Sequence, residues 1–284
     1  MDQPSAPKGV NSADRWGATA AAYHKISEAV HPHAQLLIEQ AEKRLSFTSP
    51  GVRVLDNGCG TGAVCLMLAA SYPKVPIVAS DLSPKMTEIV SRQGISNIET
   101  VVADGMDLSK IRQMCPEGFS HVLSNFMIQF APDPFQPIQQ MITVTRPGGV
   151  IGLGTWGSCT VENMFISAVQ LVYPEWESPG LWSTRDFPEQ AAEIKAWMES
   201  QGIIDVETLE LPACPKFSSV EEFTTYFFES KNPAPEKLVD SIRAKYGDDG
   251  VEKVRSRLPT VFEHGEWDVA RLAFNAFITV GRKP

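Results

Sequence analysis

One short segment near residue 55 constrains the fold of this 284-residue chain most strongly. A strand-like run over 52–55 ends at Asp56, a glycine-rich turn follows over 57–62, and the apolar run 63–70 has the composition of a helix. Strand, glycine-rich loop and helix in this order open a nucleotide-binding α/β sheet. Glycines let such a loop turn sharply and approach a ligand. We therefore expect a ligand-binding first loop, with a ligand-free structural turn as the alternative.

The spacing of the glycines narrows the choice of ligand. Gly58, Gly60 and Gly62 follow neither the G-x-G-x-x-G pattern of a dinucleotide site nor the G-x-x-x-x-G-K-[ST] pattern of a P-loop. The loop contains no Lys or Arg to meet a phosphate, whereas Asp56 stands at its beginning. A carboxylate at this position suits a cationic or amine-bearing ligand.

The segment 55–62, LDNGCGTG, resembles motif I of the class I S-adenosylmethionine (SAM)-dependent methyltransferases. It is most similar to the branch that contains ubiquinone and menaquinone biosynthesis enzymes and many fungal small-molecule methyltransferases, and the resemblance extends over about residues 16–156. It implies SAM as the cofactor, with Asp56, Gly58, Cys59 and Gly60 as contacts. It also implies an α/β fold, a Rossmann-like doubly wound sheet of seven strands with the last one antiparallel.

Acidic residues close the next two predicted strands. The strand 76–80 leads to Asp81, and a carboxylate there can accept hydrogen bonds from both hydroxyls of a ribose. Helix capping is the alternative role, but Ser83 and Pro84 already provide an N-cap and a first helical residue, which leaves Asp81 for the ligand. The strand 99–103 leads to Asp104, which can also be a simple turn former.

The resemblance assigns further cofactor contacts near these strand ends. It implies that the loop after the third strand meets the adenine and that the end of the strand 119–125, Asn125-Phe126-Met127, lies across the methionine moiety. Leu82 and Met86 are positioned to pack against the adenine. The complete set of predicted cofactor contacts is Tyr23, Asp56, Gly58, Cys59, Gly60, Asp81, Leu82, Met86, Asp104, Gly105, Met106 and Asn125.

Two helices are predicted ahead of the sheet, over 15–30 and 33–45, with a break at His31-Pro32 because the residue before a proline avoids the α conformation. By analogy with similar enzymes, Tyr23 closes over the cofactor; ordinary packing of this helix on the sheet is the alternative. The neighbouring His24 is a weak candidate for a general base, as is Tyr23.

The C-terminal half carries an additional helical segment. A turn at 146–149 precedes the fifth strand, 150–156, and two later strands are expected at 203–211 and 274–281. Between them lie predicted helices at 220–229, 235–246 and 250–262, and a connection of this length must have structure of its own. We predict a flexible tail (1–11), a SAM-binding domain with lid helices (12–211 plus 272–284) and a helical cap over the substrate pocket (212–271).

Composition restricts the partners. The net charge of −9 disfavours a nucleic acid, which attracts clustered Lys and Arg. No apolar run reaches the roughly 18 residues that a membrane helix needs, and no secretory signal is visible, so we expect a cytoplasmic protein without a membrane partner. The five cysteines lack metal-site spacing, and no Asp-Asn pair follows the fourth strand, so no metal is expected.

Aromatic residues are frequent in the predicted cap and in the loop after the fifth strand, which suggests a small apolar or aromatic substrate. We expect this substrate to receive the methyl group by direct in-line transfer from SAM. Packing within the cap is the alternative role for these aromatic side chains, and it is the expected role for Phe223 and Phe227, which lie four residues apart on one predicted helix. A protein that binds SAM without methylating, as a regulator or a pericyclase-type catalyst, is the alternative function; the acceptor atom and the oligomeric state stay open. The candidate substrate-facing residues are Tyr23, His24, Trp156, Trp176, Trp182, Phe223, Tyr226 and Phe227.

Overall fold

The computed structural model describes residues 24–180, 187–212, 217–229, 232–263, 268–269, 272 and 274–284. Seven strands in these residues form one sheet, in which the third strand is at one edge and the sixth at the other. The strands are β1 (Val54–Asn57), β2 (Ile77–Asp81), β3 (Ile98–Val102), β4 (Phe119–Asn125), β5 (Thr145–Cys159), β6 (Ile204–Glu210) and β7 (Phe274–Arg282).

The strand order is β3-β2-β1-β4-β5-β7-β6. Neighbouring strands from β3 to β5 pair in parallel, whereas β7 pairs antiparallel with both β5 and β6. The predicted Rossmann-like doubly wound sheet, with only its last strand antiparallel, is therefore confirmed. The chain changes its direction of travel across the sheet between β1 and β4, and ligands of open α/β sheets bind beyond the strand ends at such a switch point.

Helices cover both faces of the sheet because its central strands are apolar on both sides. Apolar residues of α1 and α2 form a core with one face, and residues of α4, α5 and α7 form a core with the other. The helices before β6 are α1 (His24–Arg44), α2 (Ala63–Ser71), α3 (Pro84–Ser91), α4 (Ser109–Met114), α5 (Phe135–Val144), α6 (Thr160–Gln170) and α7 (Phe187–Ser200).

The predicted helix break at His31-Pro32 is wrong, because α1 runs continuously through Pro32. Both residues lie on the exposed side of the helix. Pro32 has no N–H to donate to the carbonyl one turn earlier, and water can donate to that carbonyl instead. On the opposite side Ala34, Leu37 and Ala41 are fully buried in the core. This apolar packing holds the helix together despite the proline. The part of the first predicted helix before residue 24 and the predicted tail lie outside the described residues.

The predicted turn at 146–149 lies inside β5, because the strand already begins at Thr145. The pairing with β4 passes from Phe119–Thr145 to His121–Val150, so residues 146–149 loop out as an irregularity and regular pairing resumes at the predicted strand start. Gly148, with a φ of 74°, supplies the left-handed residue that this irregularity needs.

In the described residues between β6 and β7, three helical spans occur: α8 (Val220–Glu229), α9 (Pro233–Arg257) and α10 (Thr260–Glu263). The span α9 consists of two helices that meet at Gly247, whose φ of 72° and ψ of −176° are not helical, so the separate helices predicted at 235–246 and 250–262 are confirmed, although the second one ends at Arg257 and α10 follows it. Apolar residues of α6, α8 and α9 form a third core, called here the insertion core, which includes Phe165, Phe223 and Leu238. None of the helices in the described part of the chain combines the length and the apolar composition that crossing a bilayer requires.

Candidate functional site

A cavity lies at the C-terminal ends of β1 to β4, around the switch point of the sheet. Its described walls come from the loops after these four strands and from α1. The lining residues are Val30, Asp56, Gly58, Cys59, Gly60, Thr61, Ala63, Val64, Asp81, Leu82, Met86, Ala103, Asp104, Gly105, Met106, Asn125, Phe126, Met127 and Phe130.

The structure brings every predicted cofactor contact except Tyr23 to this cavity. Tyr23 lies outside the described residues. His24 begins α1, but its side chain is not among the described ones. These residues come from four different loops, so their convergence follows from the parallel sheet, which places the ends of β1 to β4 at one edge.

Asp56, the third residue of β1, is only 1% exposed. Its Oδ2 accepts a hydrogen bond of 3.0 Å from the backbone N–H of Cys65, in the first turn of α2. Burial raises the pKa of this carboxyl from 3.8 to about 7, and the nearby Asp81 adds to the shift, while the Cys65 N–H opposes it. A buried acid of this kind gains most from a cation that arrives beside it.

Asp81 joins two loops of the cavity. Its Oδ2 accepts from the backbone N–H of Gly60 at 2.9 Å, and its Oδ1 accepts from the N–H of Ser83 at 2.8 Å. Burial raises the pKa of Asp81, and these two donors act against that rise. Each carboxylate oxygen can accept a second hydrogen bond, so both remain able to meet a ligand hydroxyl.

Ser83 is the N-cap residue of α3 and Pro84 its first residue, as predicted. The Ser83 side chain makes no capping hydrogen bond, and its Oγ is buried without a partner in the described part of the chain. Asp81 is not reserved for the ligand, because its Oδ1 also accepts the backbone N–H of this N-cap residue.

Backbone donors fix the glycine loop on the neighbouring strand. The N–H groups of Gly58 and Cys59 both donate to the carbonyl of Ser80, each at 2.8 Å. Gly58 has a φ of +76°, and a Cβ added there would lie 2.5 Å from Cγ of Met127. Gly60 has a φ of +53°, and an added Cβ would meet no atom within 4 Å. Close packing therefore requires glycine at Gly58, whereas Gly60 borders open space in the cavity.

Asp104 and Asn125 present polar groups on either side of this loop. Asp104 Oδ1 accepts a hydrogen bond from the Met106 N–H at 2.9 Å, so Asp104 stabilises a turn, which was the alternative role predicted for it. Asp104 also lines the cavity. Asn125 Oδ1 is buried and has no hydrogen-bond partner among the described residues. A buried oxygen of this kind is a ready acceptor for a ligand N–H.

Phe126 and Met127 line the cavity directly after β4, at the strand end where the resemblance places the methionine moiety, whereas Phe130 was missed. Phe126 is 3% exposed and has a φ of 57°, which is unusual for a bulky residue. The only signal for Phe130 in the sequence is its position shortly after a strand that ends at the cavity. The remaining missed residues, Val30, Thr61, Ala63, Val64 and Ala103, carry no distinctive chemistry.

The structure keeps the described aromatic candidates for substrate contact away from the cavity lining. Trp156 is buried behind Phe126, with ring centroids 4.0 Å apart. Trp176, Phe223 and Phe227 belong to the insertion core, and Tyr226 packs against its edge. Packing therefore explains these side chains, because an apolar insertion needs a core of its own. Trp182 lies outside the described residues. Among the described side chains, no group of three His, Cys, Asp or Glu residues is arranged to hold a metal ion.

Comparison with known proteins agrees with this architecture. Residues 54–149 match the model of a family described as a methyltransferase domain. The chain is 27% identical over 227 residues to the methyltransferase ucsB of an Acremonium species, covering 73% of this chain and 75% of that protein. It is 23% identical over 265 residues to the methyltransferase tpcH of Aspergillus fumigatus, covering 81% and 89%.

Among solved structures, the YcgJ protein of Bacillus subtilis has the same fold, with a TM-score of 0.53, 17% identity and coverage of 89% of this chain and 98% of that one. Residues 54–149 of the chain thus match a methyltransferase domain, and the chain is similar to two fungal methyltransferases.

Proposed function

We propose that this protein transfers the methyl group of SAM to a small, apolar or aromatic metabolite by direct in-line displacement. The observation that carries the proposal is the two-sided cavity at the switch point. Its β1–β3 side presents the three carboxylates of Asp56, Asp81 and Asp104, and its β4 side presents the rings of Phe126 and Phe130.

The positions of the carboxylates support one orientation of SAM. Asp81, beside the glycine loop, is the partner for the ribose hydroxyls. Asp104 lies one strand further out, with Leu82 and Met86 nearby, and this supports a nucleobase site between them. The cationic methionine end then extends toward Asp56 and Asn125. The buried carboxyl of Asp56 can bind positive charge, and the amide oxygen of Asn125, which has no partner among the described residues, can accept a hydrogen bond from an N–H group.

The sulfonium of SAM supplies the activated methyl group, so the protein has to align the acceptor, the methyl carbon and the sulfur and exclude water. Orientation of this kind can lower a barrier by about 7–11 kcal/mol. An acceptor that is already an anion or a free amine needs no base. Where a base is needed, His24 and Tyr23 are the proposed candidates, and no metal takes part.

The remaining assignments belong to the same proposal. The segment 212–271 acts as a cap over the substrate pocket, and the helix that contains Tyr23 acts as a lid on the cofactor. Support for the cap comes from Phe130, which lines the cavity and also packs against the insertion core. The net charge of −9 fits a small-molecule substrate better than a nucleic acid, and the protein works in the cytoplasm.

Calorimetric titration with SAM and with S-adenosylhomocysteine tests the cofactor site. We expect micromolar binding to the native protein and at least a tenfold loss in Asp81→Ala, since a lost charged hydrogen bond costs about 1.5–3 kcal/mol. Asp107→Ala is the matched control, because Asp107 is an exposed acid that accepts a local N–H, that of Ser109, at 3.0 Å and does not line the cavity. Equal affinities of Asp81→Ala and the native protein would overturn the assignment.

A second assay separates methyl transfer from binding alone. The protein and radiolabelled SAM are incubated with a panel of phenols, naphthols and aromatic amines, and label in the organic extract is counted. Transfer to a member of the panel supports the enzyme. SAM binding without transfer to any of them would favour the non-methylating alternative.

A further inference from the structure

We infer that Phe126, with Phe130 beside it, forms the surface that binds the methyl acceptor, and that the acceptor presents a planar aromatic ring to this surface. The inference rests on the proposed function, because it places the acceptor relative to bound SAM. It concerns side chains that neither the motif nor the glycine loop identifies.

The direction of the cofactor places the acceptor at β4. With the nucleoside against Asp81 and Asp104, the sulfonium end points from β2 and β3 toward β1 and β4. In-line transfer requires the acceptor on the far side of the methyl group from sulfur. The next wall in that direction begins at Phe126, the residue directly after the end of β4.

The ring of Phe126 is held in a fixed orientation. Its backbone has a φ of 57°, and its N–H donates to the carbonyl of Gly154 at 2.7 Å. One face of the ring stacks on Trp156 at 4.0 Å with an interplanar angle of 25°, and His33 contacts it edge-on at 5.3 Å. Unusual backbone conformations of this kind persist where the surroundings enforce them, and they cluster at ligand sites.

These contacts leave a small part of the ring for a ligand. Trp156 and His33 cover most of it, so Phe126 is only 3% exposed, yet it still lines the cavity. The part that reaches the cavity is available for edge-to-face contact with another ring, and the half-buried ring of Phe130 beside it offers a larger surface.

The rest of this wall has matching chemistry. Phe130 closes a single 3₁₀ turn, Ile128–Phe130, and reaches both the cavity and the insertion core. Met127 and Val30 complete the wall. None of these four side chains carries a charge or a hydrogen-bonding group, so the wall favours an apolar ring and supplies no proton acceptor. The nucleophilic group of the acceptor must then ionise by itself, as a phenol can, or meet a base from another wall.

Binding of 2-naphthol to the protein loaded with S-adenosylhomocysteine tests the inference, with 2-decalol as a probe of similar outline but without aromatic rings. Calorimetry on the native protein should show 2-naphthol binding at least tenfold more tightly than 2-decalol. Phe126→Leu should weaken 2-naphthol binding at least tenfold, Phe130→Leu severalfold, and Phe126→Tyr should retain it. Phe135→Leu is the matched control, since Phe135 is half-buried against Trp197 and does not line the cavity.

The affinity for S-adenosylhomocysteine separates the possible failures. A native protein that does not bind it contradicts the proposed function itself. If the native protein with bound S-adenosylhomocysteine does not bind 2-naphthol, or binds 2-decalol equally well, the inference of an aromatic acceptor is overturned. Unchanged 2-naphthol affinity in both Phe126→Leu and Phe130→Leu overturns the assigned surface. If Phe126→Leu does not fold, Phe130→Leu still decides the outcome.

Discussion

On the β1–β3 side of the cavity, three carboxylates and a glycine backbone lie among apolar side chains such as Leu82 and Met86, whereas the β4 side adds two aromatic rings and a thioether to Asn125. The first side is held by short-range hydrogen bonds: Asp81 accepts from Gly60 and Ser83, and Asp104 from Met106. The second side is held by contacts between distant segments, because Phe126 packs between Trp156 and His33.

This difference separates two tasks of a methyltransferase. The polar side recognises a cofactor that is the same in every such enzyme, so its geometry can be built into local loops. The aromatic side faces an acceptor that differs from enzyme to enzyme, and its shape depends on packing that can change without altering the loops. Substitutions on the two sides should therefore have separable effects.

The sharpest test of the polar side compares Gly60→Ala with Gly94→Ala. Both glycines have positive φ values, +53° and +65°, and an added Cβ would meet no atom within 4 Å at either position. Each substitution should lower the free energy of unfolding by about 1–2 kcal/mol. Only the Gly60 methyl group enters the cavity, so we expect Gly60→Ala alone to weaken SAM binding at least a hundredfold by calorimetry. Equal SAM affinities in the two variants would contradict the position of the cofactor.

The next largest effect belongs to the aromatic side. His33 is fully buried, and its Nε2 donates to the carbonyl of Leu211 at 2.7 Å. His33→Leu leaves this carbonyl without its donor and should lower the free energy of unfolding by about 1–3 kcal/mol in urea titrations. His31→Leu, at an exposed position of the same helix, should change it little. SAM affinity should stay within twofold of native in both variants, and a large loss in His33→Leu would show that the two sides are not separable.

A smaller effect is the pH dependence of SAM binding. The pKa of Asp56 is about 7 without ligand, so this acid is mostly protonated at pH 6 and mostly ionised at pH 8. A cationic ligand favours the ionised form, so SAM affinity should rise about tenfold from pH 6 to pH 8 and level off above. Asp56→Asn should bind more weakly and lose this rise. If SAM affinity rises equally with pH in Asp56→Asn, the pH dependence must come from another titratable group.

The raised pKa of Asp56 also affects the stability of the ligand-free protein. The folded-state pKa of Asp56 lies above its ordinary value of 3.8, so the unfolded chain releases this proton more easily. The contribution of Asp56 to the free energy of unfolding therefore falls as the pH rises from about 4 to about 7 and stays constant above. Urea titrations across this range should show a smaller fall in Asp56→Asn.

The smallest effect is expected at Asp104. In Asp104→Asn the side-chain oxygen can still accept the N–H of Met106, so the turn should persist. We expect only a severalfold loss of SAM affinity by calorimetry, and a larger one in Asp104→Ala, which loses the turn as well. Native affinity in Asp104→Ala would remove Asp104 from the cofactor site.

The polar side could be predicted from the sequence because its signals are local. The glycine spacing, Asp81 and Asp104 each follow a predicted strand, and parallel strands bring their ends together. What could not be predicted there was the hydrogen bonding of Asp81, which accepts the backbone N–H of Ser83, the N-cap residue of α3, while the Ser83 side chain makes no capping hydrogen bond.

The aromatic side could not be predicted because it depends on tertiary packing. Nothing near Phe126 in the sequence indicates a left-handed backbone, which is enforced by Gly154 and Trp156 from β5. Aromatic density suggested Trp176 and Tyr226 as substrate contacts, but Trp176 lies in the insertion core and Tyr226 packs against it. The continuity of α1 through Pro32 has the same origin, since the buried side of the helix outweighs a local preference.

The most direct test is the position of the transferred methyl group. We would bind SAM carrying a ¹³C-labelled methyl group and record nuclear Overhauser effects from that methyl group to the protein. Contacts with the side chains of Phe126 and Met127 are predicted, because the sulfonium end points to the β4 side. Contacts with Leu82 and Met86 instead would place the methyl group on the β1–β3 side and contradict the account.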